Sequence, residues 1–141
     1  MSQNGVMKAR LTSPFMLRHQ ADADSSYMEF PKTLHVDFYN DSVKIESILD
    51  ALYARYREYE RKVFLKDSVV VINILKGDTL KTDELWWDQN KEEFYTDKPV
   101  RIFQPDKTIY GVGMRAGQDF SWYDIYHITG IVLTTGDGIP E

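Results

Sequence analysis

Cysteine is absent from the 141 residues, which removes disulfides, zinc–thiolate centres and thiol nucleophiles in one step. Histidine is scarce: His19, His35 and His127 are the only three. None stands at metal-ligand spacing from another histidine or a paired carboxylate, so no metal site is expected. Long apolar runs are missing too. The uncharged run from Ser68 to Leu75 is less than half of the roughly 20 residues that a membrane helix needs. Positive charge is in deficit, with 17 Lys and Arg against 22 Asp and Glu and a net charge of −5, which argues against a nucleic-acid partner. No signal peptide is visible at the start. Met1-Ser2-Gln3-Asn4-Gly5 reads as a truncation or expression start, so any anchor or export signal is expected to lie ahead of it in the full-length protein.

Aromatic residues, by contrast, are plentiful at 13%, a bias that favours strands. Apolar residues at 43% and charged residues at 28% give a globular chain long enough for a real core. The expectation is a single domain over 1–141, with an ordered core at about 6–134.

The chain also repeats itself at a spacing of 31 residues. Leu49, Ala51, Tyr56, Phe64, Val69 and Val71 return as Leu80, Thr82, Trp87, Tyr95, Val100 and Ile102. Tyr95, Val100 and Ile102 return again as Tyr126, Ile131 and Leu133, and a shorter offset brings Leu80, Thr82 and Leu85 onto Ile109, Gly111 and Met114. A fixed period implies stacked copies of one supersecondary unit, none of which can bury its apolar face alone.

The local pattern predicts short strands with Gly, Pro, Asn and Asp turns. Residues 6–11 form a first strand before the breaker Ser13-Pro14, and 20–26 form a polar loop. Leu34, Val36 and Phe38 alternate with polar neighbours up to a turn at Asn40-Asp41-Ser42. Residues 45–63 are ambiguous, because Ile45, Ile48, Leu49, Leu52, Tyr56, Tyr59 and Val63 fall at helical spacing. The repeat aligns this stretch with 80–94, which reads as a hairpin, so a strand pair is expected there. Ser68 to Leu75 is a buried strand. Phe94–Thr96 and Val100–Phe103 are expected to flank a turn at Asp97-Lys98-Pro99. Gln104 to Lys107 turns into Thr108-Ile109-Tyr110, and Phe120, Trp122 and Ile125 lead into Ile128 to Thr134. The class is all-β: a sandwich, barrel or roll.

Nothing in the chain looks catalytic. Gly111-Val112-Gly113-Met114-Arg115-Ala116 matches a dinucleotide fingerprint in letters, but no helix follows to hold a pyrophosphate; the glycines read as points of close backbone approach. Asp83 and Glu84 are adjacent, so on a strand they face opposite ways, and Asp88 begins a turn. Ser13, Ser25 and Ser26 have no nucleophile context. Arg55, Arg57, Arg61, Lys62 and Lys66 make one basic stretch, a solvated rim that could also meet a phosphorylated headgroup.

Three segments carry a family resemblance: Lys76 to Asp88, Tyr95 to Ile102, and Ile109 to Met114. Together with Lys8 to Pro14 and Tyr27 to Lys32, they resemble the lipopolysaccharide export protein LptC in its Bacteroidetes form, over roughly residues 5–133. The resemblance implies an open antiparallel β-jellyroll, V-shaped and OstA/LptC-like, in the periplasm and anchored to the inner membrane in the full-length protein. It implies a non-enzymatic relay with no cofactor, which takes lipopolysaccharide from an inner-membrane ABC transporter complex and passes it to a periplasmic bridge protein. The repeat-matched apolar positions Leu80, Leu85, Trp87, Val100, Ile102, Ile109, Met114, Ile131 and Leu133 are then candidates for holding acyl chains. Met7, Ala9, Leu11, Ile125 and Ile131 are candidates for the partner edges, through which a homodimer is also expected to be able to form. The rival readings are a carbohydrate-binding or surface β-module with Trp86, Trp87 and Trp122 as its platform, a self-assembling bridge protein of the same fold, and, more remotely, a glycosidase using Asp88.

Overall fold

Alternation decides the local structure. Leu34, Val36 and Phe38 turn into the core while His35, Asp37 and Tyr39 face outward, as a half-buried strand requires. The structure is a computed structural model that describes residues 8–20 and 26–133. Its strands are β1 (Lys8–Thr12), β2 (Leu17–His19), β3 (Tyr27–Phe30), β4 (Leu34–Tyr39), β5 (Ile45–Ala51), β6 (Tyr53–Arg57), β7 (Lys62–Asn73), β8 (Asp78–Asp88), β9 (Glu93–Gln104), β10 (Lys107–Gly117) and β11 (Tyr123–Leu133).

All eleven join one antiparallel sheet. From β7 to β11 the sheet is an up-and-down meander, whereas β1 pairs with β4, β3 with β6 and β5 with β7 across intervening strands; the whole is folded along a crease. One wall runs β1-β4-β5 and continues into the second half of β7; the other runs β2-β3-β6 and continues into its first half. β8, β9, β10 and β11 pass through both walls. Each long strand is interrupted at the same level: β7 between Lys66 and Val69, β8 between Thr82 and Trp86, and β10 between Val112 and Met114. Asp67 and Ser68 take φ of 68° and 53° there, and Gly113 takes 81°. Such bulges bend a strand and re-aim its ends. The first wall and β8–β11 carry one edge strand at each end, β1 and β11. This is an open antiparallel jellyroll, V-shaped in section, as the sequence implied.

The stretch at 45–63 is strand and turn, not helix: β5 and β6 lie either side of exposed Leu52, and a turn at 58–61 leads into β7. Its helical spacing is overridden by pairing on both sides, of β5 with β4 and β7 and of β6 with β3 and β7. Asp97-Lys98-Pro99, expected as a turn, is instead the middle of β9. Pro99 lacks an N–H, but it sits at the crease, where pairing with β8 is already interrupted. β7 likewise begins at Lys62 and ends at Asn73, so the expected strand at 68–75 is its second half, and Ile74 and Leu75 are an exposed turn. The loop expected at 20–26 lies largely outside the described residues, as does residue 134.

The 31-residue period is one up-and-down pair of strands. Repeat-matched positions fall in the same cross-strand row: Leu49 and Leu80 share Val71 as neighbour, Tyr56 and Trp87 share Val63, and Val71 and Ile102 share Leu80. The third copy departs from this. Ile131, not Leu133, pairs with Ile109 and completes the row of Ile102, so this copy returns to the row two residues short of the period; β11 also carries one extra residue, Thr129, between its pairs to Tyr110 and Gly111.

Candidate functional site

One row of side chains crosses the whole inner face of the first wall. Leu11, Val36, Leu49, Val71, Leu80, Ile102, Ile109 and Ile131 are successive register partners on eight neighbouring strands. All eight are aliphatic. Val36, Leu49, Val71, Leu80 and Ile102 are fully buried, Ile109 is half-buried, and Ile131 is 53% exposed. The second wall answers with Met28, Tyr56, Val63, Trp87, Phe94, Ala116 and Tyr123 in another continuous row. Burying such rows removes apolar area from water at about 25 cal/mol per Å², and this is what holds the walls together.

Of the candidate lipid contacts, Leu80, Leu85, Trp87, Val100, Ile102 and Met114 are at most 2% exposed. They line the inner face, but other side chains fill the space in front of them. Phe38 of β4 meets both Trp87 and Phe94 edge to face. Ile131 and Leu133 are open, and Ile128, which sequence reasoning passed over, is 54% exposed beside them on the same face. The trough is thus closed along its length and opens at β11. Ile109 pairs with Ile131 at the transition.

Among the partner-edge candidates, Ala9 and Leu11 sit on β1 and Ile125 and Ile131 on β11, the strands at the two ends of the sheet order among the described residues. Met7 lies outside the described residues. Gly111 lets β11 come close: a Cβ there would stand 2.6 Å from Ile125 Cγ2 and 2.9 Å from the His127 carbonyl oxygen. The glycine pair is therefore a point of close backbone approach.

Elsewhere the polar groups are structural. Asp88 accepts a hydrogen bond from the Lys91 backbone N–H in its turn. His35 is held between two carboxylates, Nδ1 to Asp50 at 2.7 Å and Nε2 to Asp37 at 2.7 Å. The hydrogen bond to Asp50 leads in raising its pKa, that to Asp37 adds to it, and partial burial opposes both. The alternation of His35 and Asp37 was the legible half of this cluster; Asp50 arrives only through the β4–β5 register. Glu29 ties the edge of the second wall, accepting from Tyr53 OH at 2.7 Å and pairing with His19 Nε2 at 2.9 Å. Those two bonds, Tyr53 first, hold its carboxyl below the usual range. Among the described residues no group of His, Asp and Glu is arranged to hold a metal ion, and no helix is long and apolar enough to cross a membrane.

The outer face of the second wall carries Phe64, Trp86 and Tyr95 side by side, with Arg55 before them and Arg115 after. Trp86 and Tyr95 are 6.2 Å apart and nearly parallel, and the Lys62 ammonium lies 5.7 Å from the Tyr95 centroid. Two of the three tryptophans proposed as a sugar platform are split by this arrangement, since Trp87 faces the core and Trp86 faces out.

A family model described as Lipopolysaccharide-assembly, LptC-related matches residues 1–122. No curated protein matches the chain.

Proposed function

The chain belongs to the LptC family, whose role is lipopolysaccharide transport, and from that premise we propose that it is a non-enzymatic relay that carries the lipid by its acyl chains along the inner face. The observation that carries this reading is the aliphatic row from Leu11 to Ile131, buried at its centre and open at β11. A conduit needs uniform apolar affinity, with no cluster of converging polar groups to make a deep well, and this row is uniform.

In this reading β1 and β11 are the two docking edges. Unpaired strand edges accept a further strand from another chain. The β1 side faces the inner-membrane transporter complex and the β11 side faces the periplasmic bridge protein. The domain lies in the periplasm, held to the inner membrane by an anchor outside the described residues. A second reading, a carbohydrate-binding module, is favoured only by the Phe64–Trp86–Tyr95 stripe on the outer face.

Photo-crosslinking residues at Ile131 and Val132 test the proposal in cells. The two are neighbours with similar exposure, 53% and 48%, but Ile131 faces inward with Ile109 and Val132 faces outward with Thr108. Lipopolysaccharide adducts are expected at Ile131 and not at Val132. Equal labelling, or labelling confined to a crosslinker at Trp86, would overturn it in favour of the outer face.

A further inference from the structure

The inner face is shut along most of its length, and the turn between β10 and β11 spans the gap between the tips of the two walls. Its backbone is tied to the second wall by Gln118 N–H donating to the Glu92 carbonyl at 2.9 Å, and its side chain by Trp87 Nε1 donating to Gln118 Oε1 at 2.6 Å. It is tied to the first wall by Asn73 Nδ2 donating to the Asp119 carbonyl at 3.0 Å and by Lys76 Nζ donating to the Phe120 carbonyl. Tyr123, just past the turn, donates from its hydroxyl to Asp78 Oδ2 at 2.9 Å. Burial, and next this hydrogen bond, keep that phenol protonated far above its ordinary range.

Between these ties Phe120 is driven inward. It is fully buried, with its ring 6.2 Å from Phe94 and 5.4 Å from Tyr123. Its backbone holds φ at 60°, a left-handed conformation that an L-residue with a bulky side chain adopts only under constraint from its surroundings. The segment therefore combines strained backbone, a few polar ties and one large apolar side chain lodged between the walls. A ligand that supplies its own apolar surface competes directly with that side chain.

We infer that residues 117–123 are a latch on the trough: Phe120 occupies space between the walls that an acyl chain takes when the latch opens, and the ties from Lys76, Asn73 and Asp78 set how readily it opens. This rests on the reading of the inner face as an acyl-chain conduit. An aromatic plug of this kind keeps an unloaded trough from collapsing or aggregating, since the ring replaces the chain's apolar contacts until lipid arrives.

Fluorophore-labelled lipid A and the double variant Lys76→Met, Tyr123→Phe test the latch. Both changes keep apolar bulk and remove ties to the first wall. The variant is expected to take up labelled lipid A at least threefold faster than the unaltered protein. Amide hydrogen exchange is expected to quicken across 117–123 while β5 and β7 stay protected. Uptake at the unaltered rate, or exchange that quickens equally through β5 and β7, overturns the latch and leaves the conduit standing. Failure of the unaltered protein to take up labelled lipid A overturns the conduit reading and the latch with it. Should the double variant not fold, Lys76→Met alone, at an exposed position, makes the same comparison with a smaller expected rise.

Discussion

Phe38 on β4 meets Trp87 on β8 edge to face, with ring centroids 5.0 Å apart and planes at 74°. Phe38 lies in the first wall and Trp87 in the part of β8 that belongs to the second, so this pair is a direct measure of how closely the V is shut. Both residues are at most 2% exposed. An edge-to-face pair contributes about 0.5–1.5 kcal/mol beyond the apolar area it buries. The geometry also says what a loaded trough must displace: the rings now in contact have to part.

Truncating either ring leaves a cavity between the walls that neither wall can refill without bending at the crease. Phe38→Ala and Trp87→Ala are each expected to cost about 3–5 kcal/mol of stability, read from urea unfolding followed by circular dichroism. A loss below about 1 kcal/mol would mean that the walls are not packed through this pair.

His35 supplies a pH dependence. Its folded pKa is raised above the ordinary 6.5 by Asp50 first, with Asp37 adding and burial opposing. A raised cationic group stabilises fully below its unfolded value, and the contribution is lost as pH rises through the folded value. Melting temperatures of the unaltered protein and of His35→Gln should therefore differ most below about pH 6.5 and converge at alkaline pH. A gap that widens with increasing pH would contradict the clamp.

Gly111→Ala places a methyl group against Ile125 and the His127 carbonyl oxygen, at 2.6 and 2.9 Å. A backbone carbonyl in a paired strand can give way only by moving the strand. The expected cost is about 1–3 kcal/mol, with faster amide exchange confined to β10 and β11. Unchanged stability and exchange would show that β11 has slack at this bulge.

Ile131→Lys puts a charge on the open part of the trough and on the free edge. The position is already more than half exposed, so stability should change by less than about 0.5 kcal/mol. Capture of the bridge protein and lipid crosslinking are both expected to drop by about tenfold or more, the loss of one buried isoleucine contact. Undiminished capture would move the docking edge elsewhere.

Much of this was legible in residue order. The period of Leu49, Leu80 and their companions named the rows before any pairing was known, because an up-and-down pair of constant length returns each position to the same level of the sheet. The crease was legible in part as well. Asp67-Ser68, Asp83-Glu84, Asp97-Lys98-Pro99 and Gly111-Val112-Gly113 interrupt otherwise apolar alternation at nearly equal spacing. Read singly, the third of these resembles a turn; within the sheet it is the point where β9 passes from one wall to the other.

Other features had no local signal. Leu133 and Ile131 are indistinguishable by pattern, and only the pairing of β10 with β11 decides which of them continues the row of Ile102. Asp50 reaches His35 through register alone. Phe120 reads as one more aromatic before a strand, and its burial at a left-handed backbone depends on ties from Asn73 and Lys76 in the opposite wall.

The sequence by itself determined the strands, the repeat and the inward-facing rows, since alternation and period are properties of neighbours along the chain. Tertiary structure alone decided that the rows face each other across a crease, that the trough is filled by the protein's own rings, and that it opens at β11. Those outcomes depend on which strands meet across space, and on competition between apolar surfaces for the same volume, which no local pattern encodes.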